Sequence, residues 1–204
     1  MASIDWGRRL LLALPIAWMA AAPLQALAFN LPELMDLLAQ RRSGEAHFTE
    51  ERFVQGLDKP LASSGQISFT APNRFARTTL KPRLESMTVE GASVTVERAG
   101  RARQFSLDAV PEMGAIITAV RGTLTGNADA LRESFVPAVI GNAAAWTLTL
   151  TPREQRLLSV IKQMRIDGRQ SEMRRVEVQL ADGDRSVMTI EAQAQAAPPR
   201  AAAP

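Results

Sequence analysis

The sequence predicts a mainly β protein with added helices (α+β): a curved antiparallel sheet forming an unclosed half-barrel that short lid helices cover. Apolar and polar residues alternate in short segments in both halves of the chain, as they do in half-buried strands. Turn residues separate these segments at short intervals, which favours hairpins over βαβ units. In the middle of the chain, the apolar residues are instead three and four positions apart, as in amphipathic helices.

The first 28 residues predict a secretory signal peptide. The basic pair Arg8-Arg9 precedes an apolar run over 10–22, and Ala26-Leu27-Ala28 has the small residues that signal peptidase requires. The run is short for a transmembrane helix, and two prolines interrupt it. We favour an ordinary signal over the twin-arginine type, because basic pairs are common in ordinary signals. Cleavage after Ala28 would place the protein in the periplasm with Phe29 at its N-terminus.

Composition excludes several kinds of chemistry. The chain has 204 residues, 46% hydrophobic and 22% charged, with a net charge of +3. It has no cysteine, so neither disulfides nor thiolate chemistry are available. A single histidine, His47, disfavours a metal centre or a Ser-His-Asp triad, and no Gly-x-Ser-x-Gly motif or phosphate loop occurs. We therefore predict no enzyme activity, no cofactor and no metal. No basic run is interleaved with aromatic residues, so we predict no nucleic-acid partner.

The first half begins with a helix and continues as a meander. Apolar spacing predicts a helix over 31–42, with Asn30 as N-cap, Pro32 in the first turn and Gly44 beyond its end. The period then changes to two, and Ala71-Pro72-Asn73 reads as a turn. The alternating segments, each predicted to be a strand, lie at 46–53, 66–70, 87–90, 94–97 and 104–107.

The middle of the chain predicts two lid helices. The first runs from Pro111 to Val120 and is followed by a loop over 121–126. The second runs from Asn127 to Ile140, where Pro137 ends or kinks it. The residues expected to form the apolar side of the lid are Met113, Ile116, Ile117, Val120 and Phe135.

The second half returns to strands. The segment 146–151 alternates most clearly, and Pro152 ends it. Asp167-Gly168 and 181–184 have the residues of turns. Further strands are predicted at 157–160, 163–166, 175–180 and 186–191. The Ala/Pro-rich segment 192–204 predicts a disordered tail, which leaves one domain over 29–191.

These segments together resemble the periplasmic lipoprotein carrier family, LolA, over nearly all of 29–191. No single motif carries the resemblance, which rests on the order and spacing of the whole set. The residues concerned are Phe48-Thr49-Glu50, Ser64-Gly65-Gln66-Ile67-Ser68-Phe69, Ala71-Pro72-Asn73-Arg74-Phe75-Ala76-Arg77, Leu80-Lys81-Pro82, Val89-Glu90-Gly91 and Leu148-Thr149-Leu150-Thr151-Pro152. Two central helices before an aromatic-led strand are similar to the family's lid.

Two departures from the family pattern bear on the site. The family usually has Arg-Pro where this chain has Ala71-Pro72, and that arginine holds the lid closed. Arg74 or Arg77 is a candidate replacement, as a lid latch or a contact to a lipid headgroup, although each also fits a solvated strand edge. The family's aromatic-rich strand has Val94 and Val96 here, and the chain contains no tyrosine. These departures favour a divergent branch.

The resemblance implies a hydrophobic cavity that binds acyl chains. The same alternation would also produce an ordinary core. Residues expected on the cavity wall share one strand face: Ile67, Phe69, Phe75, Met87, Val89, Val94, Val96, Phe105, Leu107, Trp146, Leu148 and Leu150.

The function implied is a soluble, monomeric periplasmic carrier that shuttles lipoproteins, or a related lipid, from the inner to the outer membrane. An inner-membrane ABC-type release complex and an outer-membrane acceptor would be its partners. Two alternatives remain open. One is a LolA-like paralogue that carries a different lipid or an acyl or pigment intermediate. The other is a periplasmic module that binds or senses lipid.

Overall fold

The computed structural model describes residues 29–192. The predicted signal peptide (1–28) lies outside the described residues, as does the predicted tail from 193 onward. Ala192, placed in the tail from the sequence, is the last residue of a strand and pairs with Ala46.

The chain forms four α-helices and eleven strands within this range. The helices are α1 (Leu31–Ala39), α2 (Pro111–Thr125), α3 (Ala128–Ser134) and α4 (Gln155–Leu158), and a 3-10 turn spans Leu107–Ala109. The first six strands are β1 (Ser43–Phe53), β2 (Leu61–Thr70), β3 (Arg74–Lys81), β4 (Glu85–Glu90), β5 (Ser93–Arg98) and β6 (Arg101–Ser106). The other five are β7 (Phe135–Asn142), β8 (Ala145–Pro152), β9 (Ile161–Arg169), β10 (Glu172–Leu180) and β11 (Arg185–Ala192).

All eleven strands belong to one antiparallel sheet in the order β6-β5-β4-β3-β2-β1-β11-β10-β9-β8-β7. Each half of the chain forms a meander, and the pairing of β1 with β11 joins the halves. The edge strands β6 and β7 do not pair with each other, so the sheet is not closed. The predicted fold class, an open antiparallel sheet with a few helices, is confirmed.

Strand alternation divides the sheet into a face covered by the helices, called the inner face here, and an outer face. In the centre, Phe48 lies opposite Gly65 of β2 and Ile190 of β11. Phe48 is 2% exposed. Gly65 is required there because a Cβ would lie 1.9 Å from the carbonyl oxygen of Thr78.

The buried side chains form two clusters on the inner face. The larger lies beneath α1 and α3 against the second half of the sheet, and includes Leu34, Leu131 and Leu148, each 0% exposed. The smaller joins α2 to β4 and β5 through Ile117, Val89 and others. Helix α2 also contributes Ala115 and Ala119 to the larger cluster, so it touches both halves of the sheet.

Helix α1 begins as the sequence predicts. The Asn30 side chain accepts a hydrogen bond from the backbone N–H of Glu33 (3.1 Å), and the Glu33 carboxylate accepts one from the N–H of Asn30 (3.3 Å). The helix ends at Ala39, three residues earlier than predicted, because β1 begins at Ser43.

The predicted loop at 121–126 is wrong, because α2 continues to Thr125. Leu124 follows Val120 at the same four-residue interval as Val120 follows Ile116, so the apolar side of the helix extends one more turn. Gly126 ends the helix in the left-handed conformation (φ +68°), which favours glycine.

The predicted second lid helix is also wrong in its latter half. Helix α3 ends at Ser134, and Phe135 begins strand β7. The run from Phe135 to Ile140 is rich in β-branched residues, which favour strands. Pro137 is tolerated because β7 is an edge strand. Phe135 therefore belongs to the sheet, where it is 0% exposed, and not to the lid.

Two predictions in the second half are wrong. The segment 157–160, predicted as a strand, contains the last two residues of the short helix α4 and a turn, and β9 begins at Ile161. Asp167-Gly168 lies within β9 instead of forming a turn. The indole ring of Trp146 packs over Gly168, where a Cβ would lie 2.2 Å from the ring. Asp167 accepts a hydrogen bond of 2.6 Å from the Thr147 hydroxyl.

Candidate functional site

An apolar cavity of about 160 Å³ lies between helix α2 and the centre of the inner face. The helix contributes Ile116, Val120 and Leu124, which are four residues apart and therefore lie on one side. Strands from both halves of the sheet form the opposite wall. The polar residues that line the cavity are Arg41, Glu45, Ser68, Arg77 and Ser171.

The structure divides the residues predicted for the cavity and lid into three groups. The first group lines the cavity: Ile67, Phe69, Phe75, Ile116, Val120 and Arg77. The second packs where α2 meets β4, β5 and β6, in the smaller cluster: Met87, Val89, Val94, Val96, Phe105, Leu107, Met113 and Ile117. The third is fully covered core beneath α1 and α3: Phe135, Trp146, Leu148 and Leu150, none more than 2% exposed.

Sequence reasoning missed the part of the wall that the central strands provide. These residues are Ala46, Met173, Val176, Met188, Ile190 and Ala192; Leu124 of α2 was missed as well. Alternation within β10 and β11 predicts the face of Val176, Met188 and Ile190, but not that of Met173, which precedes a bulge in β10. It does not show that β11 lies next to β1, the pairing that brings this face under α2.

Arg77 and Glu50 form an ion pair on the inner face. Glu50 also accepts hydrogen bonds from the hydroxyls of Ser63 and Ser186. The Arg77 guanidinium lies over the Phe48 ring, with Cζ 4.5 Å from the ring centroid. Among the described residues Arg77 Nε is buried and has no hydrogen-bond partner, so this arginine retains an unused donor.

The pKa of Glu50 lies below its ordinary value. Burial alone raises the pKa, but the charge of Arg77 and the hydrogen bonds from Ser186, Arg77 and Ser63 together outweigh burial. Glu50 is therefore ionised at neutral pH, and the pair adds no net charge to the inner face.

Arg74 occupies a different environment from Arg77. Side chains alternate along β3, so Arg74 lies on the outer face, opposite to Phe75 and Arg77. It pairs with Glu90 at 3.4 Å, and both side chains are more than 60% exposed. Of the two arginines predicted as a lid latch or headgroup contact, only Arg77 lines the cavity, so it is the better placed.

Helix α2 is joined to the sheet by its own arginine. Arg121 Nη1 donates a hydrogen bond of 2.7 Å to the carbonyl oxygen of Gly91, in the turn between β4 and β5. The contact runs from the helix to the strand turn, whereas the family resemblance implied a latch on the sheet, at Arg74 or Arg77. Arg121 was not predicted, because nothing in its local sequence distinguishes it.

A second depression, an open groove of about 660 Å³, lies beyond Arg77 on the same face. Arg77 and Glu50 line its inner end. Its outer end is formed by Leu61 of β2 and Pro82 of the β3–β4 turn. Because Arg77 lines both spaces, the ion pair separates the apolar cavity from this groove.

Over residues 29–192, no helix combines the length and the apolar character needed to cross a membrane. The same residues contain no cluster of three acidic or histidine side chains placed to hold a metal ion.

The family model for outer membrane lipoprotein carrier protein LolA-like proteins matches residues 21–203. The chain belongs to the LolA-like family. Members of this family are carrier or binding proteins of the periplasm. A search of curated proteins found no match to this LolA-like chain.

Several solved structures resemble this LolA-like chain at low sequence identity. A LolA superfamily protein from Nitrosomonas europaea has 10% identity and a TM-score of 0.45, over 82% of this chain and 96% of that chain. The MucA/MucB complex of Pseudomonas aeruginosa has 14% identity and a TM-score of 0.43, over 82% of this chain and 59% of that chain. LprF from Mycobacterium bovis has 10% identity and a TM-score of 0.36, over 85% of this chain and 97% of that chain.

Proposed function

We propose that this protein is a periplasmic carrier that binds the acyl chains of lipoproteins, or of a related lipid, between α2 and the inner face. The observation that supports the proposal most is the apolar cavity, because most of the residues that line it have aliphatic, aromatic or methionine side chains. Each methylene group moved from water into such a space contributes about 0.8 kcal/mol. Acyl chains are therefore held without directional polar contacts.

The size of the cavity supports a carrier whose lid moves. An apolar cavity of about 150 Å³ accommodates a molecule the size of benzene. The cavity of about 160 Å³ therefore accommodates only a short part of an acyl chain while α2 is in its present position. Met173 and Met188 line the wall, and their flexible side chains adapt to ligands of different shape. Entry of longer chains requires displacement of α2.

We assign Arg77 to the polar end of the cargo. It lies at the boundary between the apolar cavity and the groove, and its buried Nε has no partner among the described residues. Its ion pair is with Glu50 on the sheet and not with α2, which favours a headgroup contact over a latch. A carboxylate, phosphate or ester oxygen of the cargo would accept the unused hydrogen bond.

The remaining parts of the proposal rest on the resemblance to the family for the partners and on the N-terminal sequence for export. An inner-membrane ABC-type complex would load the carrier, and an outer-membrane acceptor would receive the cargo. Export through a signal peptide cleaved after Ala28 would deliver the protein to the periplasm.

The test is to purify the protein from the periplasm of an expressing bacterium and to identify extracted lipids by mass spectrometry. We expect bound acylated molecules, uptake of a fluorescent acyl probe and release of lipoproteins from spheroplasts. Ile116→Glu, which puts a charge into the cavity wall, should abolish all three. Ile140→Glu, on edge strand β7 where Ile140 is 67% exposed, is the matched control and should retain them. An empty wild-type protein that also fails to take up the probe contradicts the proposal.

A second candidate function is a module that binds or senses lipid without transporting it, in which the cavity of about 160 Å³ takes part of an acyl chain while α2 stays in place. The spheroplast assay separates the two candidates. Bound lipid without lipoprotein release would favour the module.

A further inference from the structure

Exposed apolar side chains are concentrated at one end of the sheet. Among residues 29–192, six large apolar side chains are at least half exposed, and two of them are on edge strand β7. The other four are leucines at the opposite side of the sheet: Leu57 (52%), Leu61 (55%), Leu80 (50%) and Leu84 (68%). Exposure of four leucines to water in one region is unfavourable. The cluster therefore indicates a contact surface.

The topology brings these leucines together. In an antiparallel meander, alternate turns lie at the same end of the sheet. The β1–β2, β3–β4 and β5–β6 connections therefore share one end. We call the surface formed by residues 57–61, 80–85 and 98–101 the rim.

The rim is strongly basic. It contains five cations and two carboxylates, a net charge of +3 that equals the net charge of the whole chain. Its carboxylates are Asp58 and Glu85, and Glu85 already pairs with Arg98 at 3.8 Å. Within the described part of the chain, its other cations have no carboxylate at ion-pair distance: Lys59, Lys81, Arg83 and Arg101.

The composition of the rim matches a lipid surface better than a protein partner. Protein interfaces are enriched in aromatic residues and depleted of lysine, and their central residues are most often Trp, Tyr and Arg. The rim contains no aromatic residue, and its leucines are interspersed with lysines and arginines. Apolar side chains that insert among headgroups, flanked by cations that attract anionic lipids, are characteristic of membrane-surface binding.

We propose that the rim docks this protein onto the surface of a bilayer that contains anionic lipids. The leucines enter the interface, and the cations contact the headgroups. The groove described above opens at this end through Leu61 and Pro82 and reaches Arg77, which also lines the cavity. Docking therefore places the bilayer at the open end of a route to the cavity. Docking does not depend on which molecule the cavity holds.

The test measures binding of the purified full protein to vesicles of phosphatidylcholine alone and of phosphatidylcholine with phosphatidylglycerol. We expect binding to the anionic vesicles that weakens as salt increases. Each rim cation removed should weaken it about fivefold, so Lys81→Gln/Arg83→Gln should lose about 25-fold. Leu61→Ser/Leu84→Ser should lose at least about tenfold.

Two control pairs lie on the other half of the sheet. Lys162→Gln/Arg169→Gln removes the same charge from exposed positions of β9, and Val136→Ser/Ile140→Ser removes exposed apolar side chains from β7. Both should bind like the wild type. The proposal is overturned if the wild type does not prefer anionic vesicles, or if the control pairs weaken binding as much as the rim pairs. Self-association of the free protein that the rim substitutions abolish would also overturn it. Failure of docking leaves the lipid content measured by mass spectrometry unchanged, so it is distinguishable from failure of the carrier proposal.

Discussion

Arg121 on helix α2 donates a hydrogen bond of 2.7 Å to the carbonyl oxygen of Gly91, and this contact ties the helix over the cavity to the β4–β5 turn. The charged donor makes the bond stronger than one between neutral groups, about 1.5–3 kcal/mol. Removing it should favour states in which α2 has moved away from the sheet.

Arg121→Ala should therefore increase hydrogen exchange of the α2 backbone amides and speed both uptake and release of an acyl probe. We expect the probe's rates to rise by at least about tenfold, the change that corresponds to the lower end of this range. Arg132→Ala, which removes an exposed ion pair on α3, is the control and should change neither rate. Unchanged exchange in Arg121→Ala would show that the remaining apolar contacts alone hold α2.

Arg77→Ala should destabilise the protein by about 2 kcal/mol. The substitution leaves the Glu50 carboxylate without its cation, and breaking a fully buried pair costs about 3–5 kcal/mol. The loss is smaller here because Glu50 is 18% exposed and keeps two serine hydrogen bonds. Urea unfolding measures this loss. Arg74→Ala removes an exposed pair and should cost less than about 0.5 kcal/mol. Equal losses in the two variants would contradict the assigned environments.

Glu50 should make folding stability depend on pH in the acid range. Its pKa in the folded protein lies below the usual 4.5, so its contribution is fully present above that value and is lost as pH falls through the folded-state pKa. Urea unfolding at several pH values should show the free energy of unfolding of Glu50→Gln falling less steeply below pH 4.5 than that of the wild type. Glu97→Gln, at an exposed position of β5, should retain the wild-type slope.

Substitutions at Leu148 and Ile116 should distinguish a core position from a position on the cavity wall. Leu148 is 0% exposed beneath α1, so Leu148→Ala should cost about 3 kcal/mol of stability. Ile116 faces an existing space, and Ile116→Ala should cost about 1 kcal/mol because it creates little new cavity. Only Ile116→Ala should weaken binding of an acyl probe by the stable, folded protein. The reverse pattern would place the ligand beneath α1.

Gly126 should be essential for the junction between α2 and α1. Its φ is +68°, and an added Cβ would lie 2.3 Å from the carbonyl oxygen of Met35. Gly126→Ala should therefore cost about 3 kcal/mol, as the strained conformation and the clash add together. Gly56 also has a positive φ, +84°, but has no atom within 4 Å of the added Cβ. Gly56→Ala should cost only about 1 kcal/mol, and similar thermal unfolding of the two variants would contradict this explanation.

The sequence alone determined the class of the fold. Two-residue periodicity in both halves, broken in the middle by helical spacing, requires an apolar strand face that helices can cover. Asn30 and Glu33 predicted the start of α1, since capping depends only on neighbouring residues. The apolar spacing of Ile116 and Val120 correctly indicated which side of α2 faces the sheet.

Tertiary structure decided what local patterns left ambiguous. Asp167-Gly168 has turn residues, yet it lies within β9 because the Trp146 ring needs the space above Gly168. The segment after Ser134 joined the edge of the sheet, where β8 supplied a partner that local sequence does not reveal.

The division of one apolar face into core and cavity also required the tertiary structure. Leu148 and Ile67 have the same alternation in their strands, but α1 covers the first and α2 leaves a space over the second. That difference depends on how two distant helices sit on the sheet. The pairing of β1 with β11 completes the cavity wall, because it joins segments at opposite ends of the chain.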